Sequence, residues 1–193
     1  MSPQTHSTIK REARTLPAMA RPRARVSTVL RHEMTVIAAD VADVVASAGG
    51  WLYDRRMAGW CVNVMVSDRD GGRALEILGA EVFDLDGNLD AVIRDPERAH
   101  ATVVVAAHVY ARDGRVRQFV SDFGRGGAEV ALWGEAEPLG LDVSAAGYRM
   151  SAAARAFKAQ ALLALGLPND AVAPTEAVLH CGVTALPPVA LRS

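Results

Sequence analysis

The sequence predicts an α/β protein: a three-layer, Rossmann-like parallel sheet of about four strands flanked by helices, with an N-terminal helix and irregular tails. Three observations predict it. The runs WCVNVMV and ATVVVAAHVY are continuously apolar and rich in β-branched residues, the pattern of strands buried on both faces. Stretches with helical spacing of apolar residues alternate with such runs along the chain. Half of the 193 residues are hydrophobic but only 5% are aromatic, so the core is built from small and branched aliphatics.

Residues 1–26 are polar, proline-bearing and aperiodic, and read as a disordered basic arm. Residues 27–168 read as a single α/β domain. It opens with a helix in which Leu30, Met34, Ile37, Val41, Val44 and Ala48 share a face, Ser27 is the N-cap and Gly49-Gly50 form the stop. A second short helix, WLYDRRMA, follows. Strands are expected at 61–66, 81–85, 102–110 and 128–133, all parallel, with 103–106 innermost. The intervening helices are RALEILG, NLDAVIRDPERA and GRVRQFVSDFGRG, where Val116, Phe119, Val120 and Phe123 have helical spacing. Residues 134–149 read as a loop, and Ser151 caps a long helix that stops at Gly166. The proline-bearing stretch 169–193 reads as an extended tail on the surface.

Composition bounds the function. Of the 21 basic residues only Lys10 and Lys158 are lysine, the codon bias of a GC-rich, bacterial genome. Cys61 and Cys181 stand far apart and outside any CxxC pair, which speaks against a zinc site or a disulfide framework. No apolar leader and no run of about 18 apolar residues is present, so a cytoplasmic protein without membrane contact is expected. The net charge of −1 hides a split: the arm carries Lys10, Arg11, Arg14, Arg21, Arg23 and Arg25 against Glu12 alone. Such an arm suits weak, salt-dependent contact with nucleic acid or an acidic partner.

Ligands of open α/β sheets bind beyond the carboxyl ends of the strands. That rule selects the loops 67–73, 84–88, 108–115 and 134–142. In the first, Gly71 and Gly72 let an anion approach a helix start, while Asp68 and Asp70 favour a cation-bridged or modestly charged ligand over a bare phosphate. Neither GxxxxGK[ST] nor GxGxxG occurs, and a flexible turn explains the glycines equally well. Asp86 stands where dinucleotide folds place a ribose-binding carboxylate, or is simply a turn residue. His108, Tyr110 and Arg112 follow the central strand; His108 is the candidate for proton transfer, against the alternative of a satisfied, half-buried histidine. Trp51, Tyr53, Arg55, Arg56 and Trp60 form an aromatic-arginine cluster suited to core packing, base stacking or a subunit contact. No metal site is expected, and no cofactor or oligomeric state follows from the residues.

The reading from sequence is therefore a cytoplasmic α/β protein with a ligand-binding or regulatory role and no catalytic motif. The alternative is an enzyme acting on an anionic or phosphorylated small molecule at the carboxyl edge of the sheet. A second alternative is an adaptor that uses its basic arm. If a small-ligand site exists, it is expected between loops 67–73 and 108–115.

Overall fold

The structure is a computed structural model, and it describes residues 32–87, 89, 101–127, 129–135 and 141–181. The arm 1–26, most of the expected helix around 88–99 and the end of the chain lie outside these residues. The class is as expected, an α/β sheet flanked by helices, but the sheet is larger than expected, with seven strands in the order β3-β2-β1-β4-β5-β7-β6.

The strand that carries 103–106 is the fourth of the seven and lies innermost as expected, but the middle of the five parallel strands is one that the sequence reading assigned to a helix. β1 (Glu33–Asp40) lies between β2 (Cys61–Asp68) and β4 (Ala101–Ala106), parallel to both. Met34, Val36, Ile37 and Ala38 are fully buried, as a strand covered on both faces requires. Helix α1 (Val41–Met57) starts only where Asp40 accepts the backbone N–H of Asp43 at 2.8 Å, so Asp40 and not Ser27 caps it. The chain then places β3 (Glu81–Asp84) outside β2 and β5 (Glu129–Trp133) outside β4, again parallel. All four strands expected at 61–66, 81–85, 102–110 and 128–133 thus exist and run the same way. The third is shorter than expected, because residues 107–112 turn into helix α3.

Two further strands correct the reading of the second half. β6 (Val143–Arg149), expected as loop, pairs antiparallel with β7 (Thr175–Cys181), expected as surface tail. β7 also pairs antiparallel with β5, so it lies inside the sheet. β6 was hard to read because VSAAGYR is an edge strand of small, mostly exposed residues.

The crossovers between parallel strands set the layers. From β1 the chain steps one way to β2 and β3 through α1 and α2 (Arg73–Ile77), and from β4 the other way to β5 through α3 (Ala107–Arg112) and α4 (Gly114–Arg125). Helix α5 (Ala152–Ala164) packs on α1 and α2. As expected, α4 buries Val116, Phe119 and Val120, and Ser151 caps α5, its hydroxyl accepting the Ala154 N–H at 3.0 Å.

Asp54 of α1 ties these parts together. It accepts from the Ser151 hydroxyl at 2.6 Å, the Ser151 backbone N–H at 3.0 Å and the Tyr148 hydroxyl at 3.0 Å. Burial, and then the hydrogen bond to Asp54, push the Tyr148 phenol up to about 12 from its ordinary 10.0. A group whose folded pKa is raised contributes stability in full below its unfolded pKa and loses it as pH rises through the folded value. The melting temperature is therefore expected to fall between pH 10 and 12. Thermal unfolding across that window checks this: the fall should be shallower in Tyr148→Phe, and an identical fall would assign it to other groups.

Candidate active site at the crevice between strands 1 and 4

Because the chain leaves β1 and β4 in opposite directions, a crevice opens beyond their carboxyl ends. A cavity of about 650 Å³ lies there, within the range of ligand sites. One wall is polar: Asp43 and Ser47 from the first turns of α1, His108 from the first turn of α3, and Trp133 at the end of β5. The other is largely apolar, with Met150, Leu162, Leu167, Pro168 and Val172.

The polar groups are held. The Asp43 carboxylate accepts the Trp133 indole N–H at 3.1 Å to each oxygen and the Ser47 hydroxyl at 3.0 Å. Its position follows from the local fold: with Asp40 as the cap, Asp43 occupies the first turn of α1, where a carboxylate suits the helix dipole. His108 is exposed to the cavity because α3 begins at Ala107. The expected strand would have put His108 and Tyr110 on one face. In the helix they separate, leaving His108 exposed and Tyr110 only 4% exposed.

At the floor, α1 is spliced by side chains. The Glu176 carboxylate, from β7, accepts the backbone N–H groups of Gly50 and Trp51 at 2.8 Å each. Lys158, from α5, donates to Glu176 at 2.6 Å and to the Ala46 carbonyl, also at 2.6 Å. Both side chains are almost fully buried. Gly49-Gly50 is therefore no helix stop: α1 continues to Met57, and the expected second helix is its second half. A Cβ at Gly50 would overlap Met150 and come within 3.3 Å of Glu176, so this close approach requires glycine.

The other residues singled out from the sequence line no part of this cavity. Asp68 accepts the Asp70 N–H at 2.9 Å in an exposed turn. Gly71 has φ +81°, and a side chain there would run into Leu165. Gly72 precedes α2, a helix of only five residues. Asp86 is exposed and pairs with Arg115 at 2.6 Å. Burial pushes the Tyr110 phenol up, and Arg112 is exposed in the last turn of α3. Of the two loops expected to form a site together, only the one bearing His108 reaches the cavity, because β1 stands between β2 and β4. Asp43, Trp133, Lys158 and Glu176 escaped the reading. One signal pointed to Lys158: it is the sole lysine of the sequence outside the arm, in a chain that otherwise uses arginine. Among the described residues no group of three or more His, Cys, Asp or Glu is placed to hold a metal ion.

No protein-family model matches the chain, and no curated protein matches it significantly. Solved structures do share its fold. A triple mutant of a deacetylase in the teicoplanin biosynthetic pathway has a TM-score of 0.52 at 12% identity, over 78% of this chain and 98% of that one. The A40926 pseudoaglycone deacetylase has 0.51 at 17%, over 79% and 98%. A zinc-inhibited form of teicoplanin deacetylase has 0.52 at 13%, over 79% and 98%. At such identities the likeness establishes the shared fold. These neighbours are all enzymes, which overturns the reading of a ligand-binding or regulatory protein without catalysis and favours its enzyme alternative. No described helix is long and apolar enough to cross a membrane.

Proposed function

We propose that this chain is a hydrolase that removes an acyl group such as acetyl from a polar small molecule bound at the carboxyl edge of the sheet. The observation that carries the proposal is the 650 Å³ cavity at the crevice between β1 and β4, with Asp43 and His108 on its wall. The deacetylase activity of the fold neighbours supports the reaction class. In this reading His108 takes a proton from the attacking water as a C–O bond forms at the acyl carbon. The proton passes to the leaving nitrogen as the C–N bond breaks, giving a carboxylic acid and an amine; the acid then yields its own proton to the amine, leaving a carboxylate and an ammonium ion. Asp43, fixed by Trp133 and Ser47, orients the water or the substrate amide. The apolar wall faces the rest of the substrate. Asp68, Asp70, Gly71, Gly72, Asp86, Tyr110 and Arg112 have no part in this proposal.

The test is acetate release from a panel of N-acetylated amino sugars, amino acids and amines, with and without added divalent cations. His108→Ala should lower the rate of any substrate found by about 10²–10⁴-fold, the usual contribution of a general acid–base group. Asp43→Asn should lower it as well while leaving the melting temperature close to that of the parent. Silence across the panel, or variants as fast as the parent, would remove the proposal.

A further inference from the structure

The apolar wall of the large cavity has a construction of its own. It comes from Met150, from Leu162 of α5, and from the connector 165–174 that carries the chain from α5 to β7. Leu167, Pro168 and Val172 of that connector line the cavity, whereas its polar residues Asn169 and Asp170 do not. Leu167 and Val172 are half-buried and Pro168 is exposed. The connector is braced at both ends. The Leu167 N–H donates to the Leu162 carbonyl at 2.9 Å, and the Pro174 carbonyl accepts the Met150 N–H at 3.0 Å. Between them Arg155 donates to the Val172 carbonyl at 3.2 Å, and the rings of Pro168 and Pro174 each lock a backbone angle.

Apolar groups held against water on a braced segment gain free energy when an apolar part of a ligand covers them. A polar part laid on the same wall would give up its water and find no side-chain hydrogen bond there. An acetyl group alone is too small to use this wall. At roughly 30 Å³ per molecule, the 650 Å³ cavity has room for about twenty waters, several times the space of an acetamide group. The hydrogen-bonding side chains Asp43, Ser47 and His108 stand on the other wall, so an amide held by them leaves the connector to the remainder of its molecule. This wall offers methyl and methylene groups and no aromatic ring to stack on, which suits an aliphatic chain.

We propose that the cavity takes an amide bearing an aliphatic chain longer than acetyl, packed on Leu162, Leu167, Pro168 and Val172. The inference rests on the reading of the crevice as the substrate site of an acyl hydrolase, and binding tests it apart from turnover. The probes are two neutral series added to the full chain. N-methylamides of the straight-chain acids from acetic to octanoic lengthen the acyl side, and N-alkylacetamides from methyl to heptyl lengthen the amine side. Dissociation constants come from tryptophan fluorescence, Trp133 being part of the cavity, and from the rise in melting temperature. In at least one series the dissociation constant should fall about two- to fourfold per added methylene, the upper figure being the worth of a fully buried one. The series that responds names the side of the amide that carries the chain. Leu167→Asn and Val172→Asn should flatten that slope; because the slope is measured within each variant, a general loss of stability does not imitate it. Affinity independent of length in both series overturns the inference, and so does a slope that both variants keep. Release of the acids from the same amides separates the two readings. A steep slope without turnover removes the hydrolase and leaves the chain site, whereas turnover without a slope does the reverse.

Discussion

Glu176→Ala is expected to destabilise the protein by about 3–5 kcal/mol, because it strips one member from a buried ion pair. The loss is threefold. Lys158 keeps its charge in a site almost closed to water, with only the Ala46 carbonyl left to it. The N–H groups of Gly50 and Trp51, in the middle of α1, lose their side-chain acceptor. For a chain of this length each kcal/mol lowers the melting temperature by about 2–4 °C, so a fall of roughly 10 °C is expected. Thermal unfolding of the single variant and of the double variant Lys158→Met/Glu176→Gln checks the cause. The double variant removes the stranded charge and should regain a large part of the loss. If it is no better than the single variant, the bonds to Gly50 and Trp51 matter more than the charge.

Gly50→Ala should lower stability by about 1–3 kcal/mol, against the usual direction of the substitution. Alanine in a helix interior is ordinarily better than glycine by up to about 1 kcal/mol. Here the added methyl would overlap Met150, which is 6% exposed, and press on the Glu176 carboxylate. Gly49→Ala is the internal comparison: its nearest neighbour would be Leu78 at 3.2 Å, a contact that a small side-chain movement relieves. Urea unfolding of both should rank Gly50→Ala clearly below Gly49→Ala. The reverse ranking would mean that Met150 repacks freely.

These two residues also show what was legible in the sequence. A Gly-Gly pair after an apolar helical face reads as a stop, and nothing local says that Met150 and Glu176, about a hundred and more residues away, press against it. The strand before it was hidden by coincidence. Met34, Ile37, Val41 and Val44 satisfy helical spacing because a strand buried on both faces is apolar throughout and runs straight into an apolar helix. Thr35, Val36 and Ile37, three β-branched residues in a row, were the contrary signal. The four strands with clear apolar runs and intervening helices were legible, as was Ser151 with its helix. Of the residues that line the candidate cavity, His108 was legible because the rule about carboxyl ends of strands finds it without any motif. Asp43 was not, since its place on the cavity wall depends on where α1 begins, and a register error there moved it to an anonymous place on a helical wheel.

The position of β7 has a consequence during synthesis. β5 is complete at Trp133, but the strand that covers its outer edge begins only at Thr175. About 40 residues must be translated in between, roughly 2–8 s at about 5–20 residues per second. For that time a nascent chain that has already assembled β1, β2, β4 and β5 carries an open row of backbone donors and acceptors. Such an edge can recruit strands from neighbouring chains on the same message. The antiparallel insertion that completes the sheet thus leaves one identifiable edge to be closed only by a segment translated last.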